Sequence, residues 1–142
     1  MQFLTSNCKI TKVKDHSAAG TSDVVSDIID MQGYEGVVFI TSLGTAASGN
    51  YIVCQGNTVN STGGMADLAS TKITSGTSDE DLVEDLLHPQ FRYIQATVTR
   101  GTSSTCESIW AIQYGARRLP PTNTISGTLI QEQHEGSIAG TA

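Results

Sequence analysis

The chain has 142 residues, enough for one domain with one core. Its 8 basic and 14 acidic side chains leave a formal charge of −6, and only 15% of residues are charged, which argues against general adhesion to nucleic acid or to an anionic membrane. With 15 serines, 18 threonines and 14 glycines, strong helix formers are crowded out and short strands joined by many turns are favoured.

From the N-terminus, residues 1–14 alternate loosely, with Cys8 and Ile10 on one side and Lys9 on the other. They predict a strand or an extended arm carrying three of the four lysines, Lys9, Lys12 and Lys14. The stretch also lacks the charged-then-apolar order of a secretory signal, so the chain is expected to stay in the compartment where it is made. "DHSAAGTSD" (15–23) is a small-residue linker, and residues 1–20 together are set apart as an N-terminal strand or arm. In "VVSDIID" (24–30) four β-branched residues outweigh a possible helical face, and a strand is predicted.

Gly33 and Gly36 mark a turn before "VVFITSL" (37–43), a nearly continuous apolar run that predicts a buried strand containing Val38 and Ile40 as core candidates. "NYIVCQ" (50–55) is a further strand, with Val53 a core candidate, followed by loop (56–64) and at most one helical turn in "MADLAS". "DEDLVEDLLHP" (79–89) suits a short amphipathic helix or a strand equally, ended by His88–Pro89. "FRYIQATVTRG" (91–101) alternates cleanly, as does "TCESIWAIQYG" (105–115), where Trp110 and Ile112 are assigned to the core. The turn "GTSS" between them predicts a β-hairpin.

After Pro120–Pro121 the apolar residues are isolated, and 122–142 is expected to be an extended arm. The prediction is therefore an all-β, antiparallel, jelly-roll-like β-sandwich over residues 21–121 with arms at both ends. No run of about 18 apolar residues suggests a membrane-spanning helix.

Catalytic constellations are not apparent. His16, His88 and His134 have no second ligand at metal-binding spacing, and the glycine pairs are not followed by a phosphate-loop pattern. The acidic run Asp79–Asp85 lacks the ligand order of a calcium loop. Cys8, Cys54 and Cys106 are odd in number, far apart and within strand-like stretches, which predicts reduced, packed thiols. A non-enzyme without cofactor or metal is expected, binding neither nucleic acid nor membrane. Arg117 and Arg118, wedged between the last strand and the prolines, stand out as candidates for pairing with carboxylates on a partner, because a planar guanidinium forks onto a carboxylate. Lys12 and Lys14 are added as candidate partner-binding residues.

Three stretches, "DMQGYEGVVFI" (30–40), "FRYIQATVTRG" (91–101) and "AIQYGARRLP" (111–120), resemble small tailed-bacteriophage structural proteins, and in particular podovirus capsid cement (decoration) proteins of the Bordetella-phage kind. The likeness spans roughly residues 22–121. It implies a jelly-roll-like body on the outside of an icosahedral shell, bridging subunits of the major capsid protein as a dimer or other small oligomer. It also implies a virion location after synthesis in the bacterial cytoplasm. A head fibre or tail accessory protein, or a carbohydrate-binding β-sandwich, are the alternatives.

Overall fold

The computed structural model describes residues 3–119 together with Pro121 and Leu129. Most of the expected C-terminal arm thus lies outside the described residues. A 3-10 turn at Leu4–Ser6 leads into twelve strands: β1 (Lys9–Lys14), β2 (Ser17–Gly20), β3 (Val24–Val25), β4 (Ile29–Asp30), β5 (Gly36–Leu43) and β6 (Asn50–Asn57), then β7 (Ala66–Asp67), β8 (Ile73–Thr74), β9 (Glu80–Leu87), β10 (Tyr93–Arg100), β11 (Ser104–Cys106) and β12 (Ile109–Tyr114).

They form two antiparallel sheets packed face to face. Several short strands are halves of one interrupted strand. β1 and β2 lie antiparallel along β12 and β11, from Lys9 opposite Gln113 to Gly20 opposite Ser104, with one register shift between Lys12 and Lys14 and another between Ser104 and Cys106. β3 and β4 follow one edge of β10, and β7 and β8 follow one edge of β6. The first sheet then runs β1/β2, β12/β11, β5, β9, and the second β3/β4, β10, β6, β7/β8.

Strand alternation puts one side chain in two between the sheets. Val37, Phe39, Leu43, Leu82, Ile109 and Ala111 from the first sheet meet Ile52, Cys54, Ile94, Ala96 and Val98 from the second, and most of these are fully buried. Cys54 and Cys106 are free thiols within this core. Burial, with the Glu84 carboxyl nearby as a smaller cause, pushes the Cys54 thiol up to about 12.

Four of the five core candidates belong to the opposite face. Val38, Ile40, Trp110 and Ile112 are half-buried and outside the inter-sheet cluster, whereas their neighbours Val37, Phe39, Ile109 and Ala111 are 0% exposed. For β12 the reason is a one-residue register slip against β5 between Cys106 opposite Leu43 and Trp110 opposite Ile40. Cys106 is in the core, and the irregularity at 107–108 inverts the phase, so counting by twos from Cys106 reaches the wrong face. Val53 is buried at 6%, yet it alternates with Ile52 and Cys54 and lies on the outer side of the second sheet.

Three other expectations are corrected. β10 and β11 do not form a hairpin: β10 pairs with β3, β4 and β6, and β11 pairs with β2 and β5, so 101–103 is a corner between the sheets. "SAAG" is strand β2 rather than linker; of the strand or arm expected at the N-terminus, Lys9–Lys14 is a strand, and with β2 it forms an edge of the first sheet. The 65–70 stretch contributes strand β7 and a turn. The open choice at 82–87 resolves to strand, with all eight residues of β9 paired along β5.

Candidate interaction surface

The outer face of the first sheet follows from its register. One row reads Ile10, Ile112, Val38, Asp85; the next reads Lys12, Trp110, Ile40, Val83; a third reads Tyr114, Gly36, Leu87. The Tyr114 ring lies over Gly36, and a Cβ at 36 would force that ring aside. The Tyr114 hydroxyl reaches across to donate to Asp85 Oδ1 at 2.7 Å. Burial, then this bond and the negative charges of Asp85 and Glu35, push Tyr114 up to about 12. Val83 and Leu87 are 54% and 57% exposed. The centre of this face is thus aliphatic and aromatic.

Charge is divided between its two edges. β1 brings Lys12, whose amine lies 2.7 Å from Asp15, and the exposed Lys14. β9 brings the exposed Asp81 and Asp85. On its inner side β9 carries Glu84, only 8% exposed. Burial raises its pKa, with a smaller contribution from Asp85. An inward charge on an edge strand discourages pairing with a foreign strand. Because the folded-state pKa is raised above the unfolded value, the stabilising contribution is complete below the unfolded pKa and is lost as pH rises through the folded one. Glu84→Gln is expected to melt at higher temperature than the parent at pH 8 and at the same temperature near pH 4; thermal scans across pH check this.

The outer face of the second sheet is different in kind. Gln95 Nε2 and Thr97 Oγ1 both donate to Gln55 Oε1, at 2.7 and 2.8 Å, and Gln55 Nε2 donates to Asp67 Oδ1 at 2.8 Å. Gln95 and Thr97 are 4% and 6% exposed. A polar ladder is already bonded there.

Arg117 and Arg118 are both exposed at one end of the sandwich. The Arg117 backbone N–H donates to the Gly33 carbonyl at 2.9 Å, tying the exit of the last strand to the 31–35 turn, where Gly33 has φ 88. Arg117 lines an open groove of about 490 Å³ with Tyr34, Glu35, His88, Phe91 and Arg92. Arg92 is committed to Asp30 through two bonds of 2.9 and 2.7 Å, and that guanidinium holds the Asp30 carboxyl below its usual range. His88 holds φ 50 directly before Pro89 and donates its N–H to the Glu35 carbonyl at 2.7 Å, a conformation kept only because the turn around it is fixed.

The chain matches no family model, no curated protein and no solved structure. Among the described residues, no three His, Cys, Asp or Glu side chains are placed to hold a metal ion, and no helix is long and apolar enough to cross a membrane.

The candidate partner-binding residues therefore fall in two places. Lys12 and Lys14 border the apolar face, whereas Arg117 and Arg118 occupy the loop end. Asp81, Val83, Asp85 and Leu87 were absent from the sequence-based candidates. Their signal is the strict alternation of β9, visible once that segment is taken as a strand.

Proposed function

We propose that the chain is a structural virion protein, a cement (decoration) protein that binds the outer surface of an icosahedral phage capsid and bridges major capsid protein subunits. The observation that carries this reading is the strand order. With each interrupted pair counted as one strand, eight strands numbered from the N-terminus run 1-8-3-6 in one sheet and 2-7-4-5 in the other. That order supports a jelly roll, an architecture used by viral coat modules, and it agrees with what the sequence resemblance implies.

The loop end supplies the charged contact. Two exposed arginines, the first with its backbone N–H bonded to Gly33, present forked donors to carboxylates, and an acidic shell surface would offer such acceptors. One contact of this kind is modest, but linked contacts on a repeated lattice add through effective concentration.

Shells assembled without the protein provide the test. The purified chain is expected to co-sediment with them saturably, in fixed ratio to capsid subunits, and to raise their resistance to heat or chaotrope. Arg117→Ala combined with Arg118→Ala should weaken single-site affinity about 10- to 100-fold, at about 0.7–1.4 kcal/mol for each lost charged contact. Binding to tails rather than heads would favour a tail accessory protein. Binding to shells that is indifferent to both arginines would remove the anchor and leave the cement reading standing.

A further inference from the structure

We infer that the free edge of β9 takes up an extended segment of a partner protein as an added antiparallel strand, and that the segment it fits combines basic with apolar side chains. β9 pairs with β5 over all eight of its residues and with no other strand among the described residues. The remaining edges are each built from two short strands, β1 with β2, β3 with β4 and β7 with β8. β9 presents instead an unbroken edge, without glycine, proline or register shift, about 26 Å long.

The alternation of an antiparallel ladder fixes which backbone groups face outward. His88 donates its N–H to the Glu35 carbonyl, so Leu86, Glu84 and Leu82, in the same phase, direct their backbone groups to β5. The N–H and C=O groups of Asp81, Val83 and Asp85 therefore point away from the sheet. Among the described residues, no loop or side chain bonds to them. Such a row is a template for a further strand.

Charge decides which strand fits. β9 carries Glu80, Asp81, Glu84 and Asp85 and no basic residue. Two of these carboxylates are taken: Glu80 accepts from the backbone of Gly76 and Thr77, and Asp85 accepts from Tyr114. Asp81 is exposed and Glu84 is turned inward, only 8% exposed, and neither has a bonded partner among the described residues. A buried carboxylate without a cation is costly, and a base on an added strand, about 5 Å across from it, supplies that cation. A second β9 would bring acid onto acid and is disfavoured. Glu84 thus turns away strands that lack a base and admits one that carries it. The fitting strand sets one base beside Glu84, another beside Asp81, and apolar side chains beside Val83 and Leu87, which are 54% and 57% exposed.

This inference does not rest on the shell-binding reading, since it is tested on the purified full chain with peptides alone. The probe is the amidated peptide Leu-Val-Thr-Lys-Val-Thr-Lys-Thr with an N-terminal fluorophore, whose lysines fall opposite Glu84 and Asp81 in antiparallel register. Fluorescence anisotropy should show saturable binding with a dissociation constant of about 0.1 mM or tighter, at least about 10-fold tighter than for the same peptide with both lysines replaced by glutamate. Glu84→Gln, which removes a buried charge and keeps the fold, should narrow that preference about 3-fold or more. N-methylation of the peptide opposite Val83 should abolish binding, whereas N-methylation opposite Glu84 should leave it within about 2-fold, because only the first of these amides points at β9. The inference is overturned by an absence of saturable binding up to about 2 mM, or by equal affinity for the lysine and glutamate peptides. A preference untouched by Glu84→Gln, or indifference to the site of N-methylation, overturns it equally.

Discussion

Arg100→Ala is expected to cost about 3–5 kcal/mol, close to the whole stability of a marginal domain. The Arg100 guanidinium is buried, with 6% exposure for the residue, and among the described residues no carboxylate is bonded to it. Its Nε donates to the Ser22 carbonyl at 2.7 Å, and one terminal nitrogen donates to the carbonyls of Ala18 and Ser104, each at 2.8 Å. These oxygens come from β2, the turn after it and β11, the three segments that meet where the chain passes from one sheet to the other. Truncation removes three charge-assisted bonds and leaves carbonyls facing a cavity. Arg100→Lys should recover little of the loss, because an ammonium at the end of a flexible stem cannot reproduce the fixed fork that serves separate carbonyls. Urea unfolding of both variants measures the effect, and a loss below about 1 kcal/mol for Arg100→Ala would show that the corner is held by something else.

The second large effect is a contrast between neighbours. Phe39→Ala should cost about 3–5 kcal/mol, while Ile40→Ala should cost about 1 kcal/mol or less in the monomer. Phe39 is the largest fully buried side chain, at the middle of β5 between the two sheets. Removing its ring leaves a cavity that a closely packed core cannot close. Ile40 is half-buried on the outer face and loses contacts only with its neighbours in the sheet. Chemical denaturation at concentrations low enough to keep the chain monomeric gives both numbers. A larger cost for Ile40→Ala than for Phe39→Ala would mean that the faces of β5 are assigned the wrong way round.

Much of this was legible in the sequence, and the misses share a cause. The all-β class followed from composition, the turn at Gly33 from glycine spacing, and the two faces of β10 from its clean alternation. What failed was phase and partnership. Trp110 is the chain's one tryptophan and Val38 and Ile40 are aliphatic, so each looks internal, but alternation says only that two faces exist and not which is covered. The irregularity at 107–108 then hid the change of phase. The expected hairpin failed because a local turn signal cannot say whether the next strand stays in the same sheet. Residues 17–20, with no large side chains, have no period to read and become strand only through pairing with β11. Leu82, Val83, Leu86 and Leu87 suit a helix face equally well, and it is the full-length pairing of β9 with β5 that decides for a strand.

The candidate site was legible only in part, for a related reason. Lys12, Lys14, Arg117 and Arg118 are charged residues near chain ends or breaks and are conspicuous in any reading. An apolar docking face assembled from four strands is distributed across the chain, and its members look like core until the register puts them outside.

The central claim, that this protein cements a phage head, is tested most directly by electron cryomicroscopy of virions with and without it. Extra density is expected on the outer surface of the head, in fixed proportion to capsid subunits, shaped as a two-sheet sandwich whose Arg117 end faces the shell. Density confined to the tail, or heads of equal appearance and stability in both preparations, would contradict it.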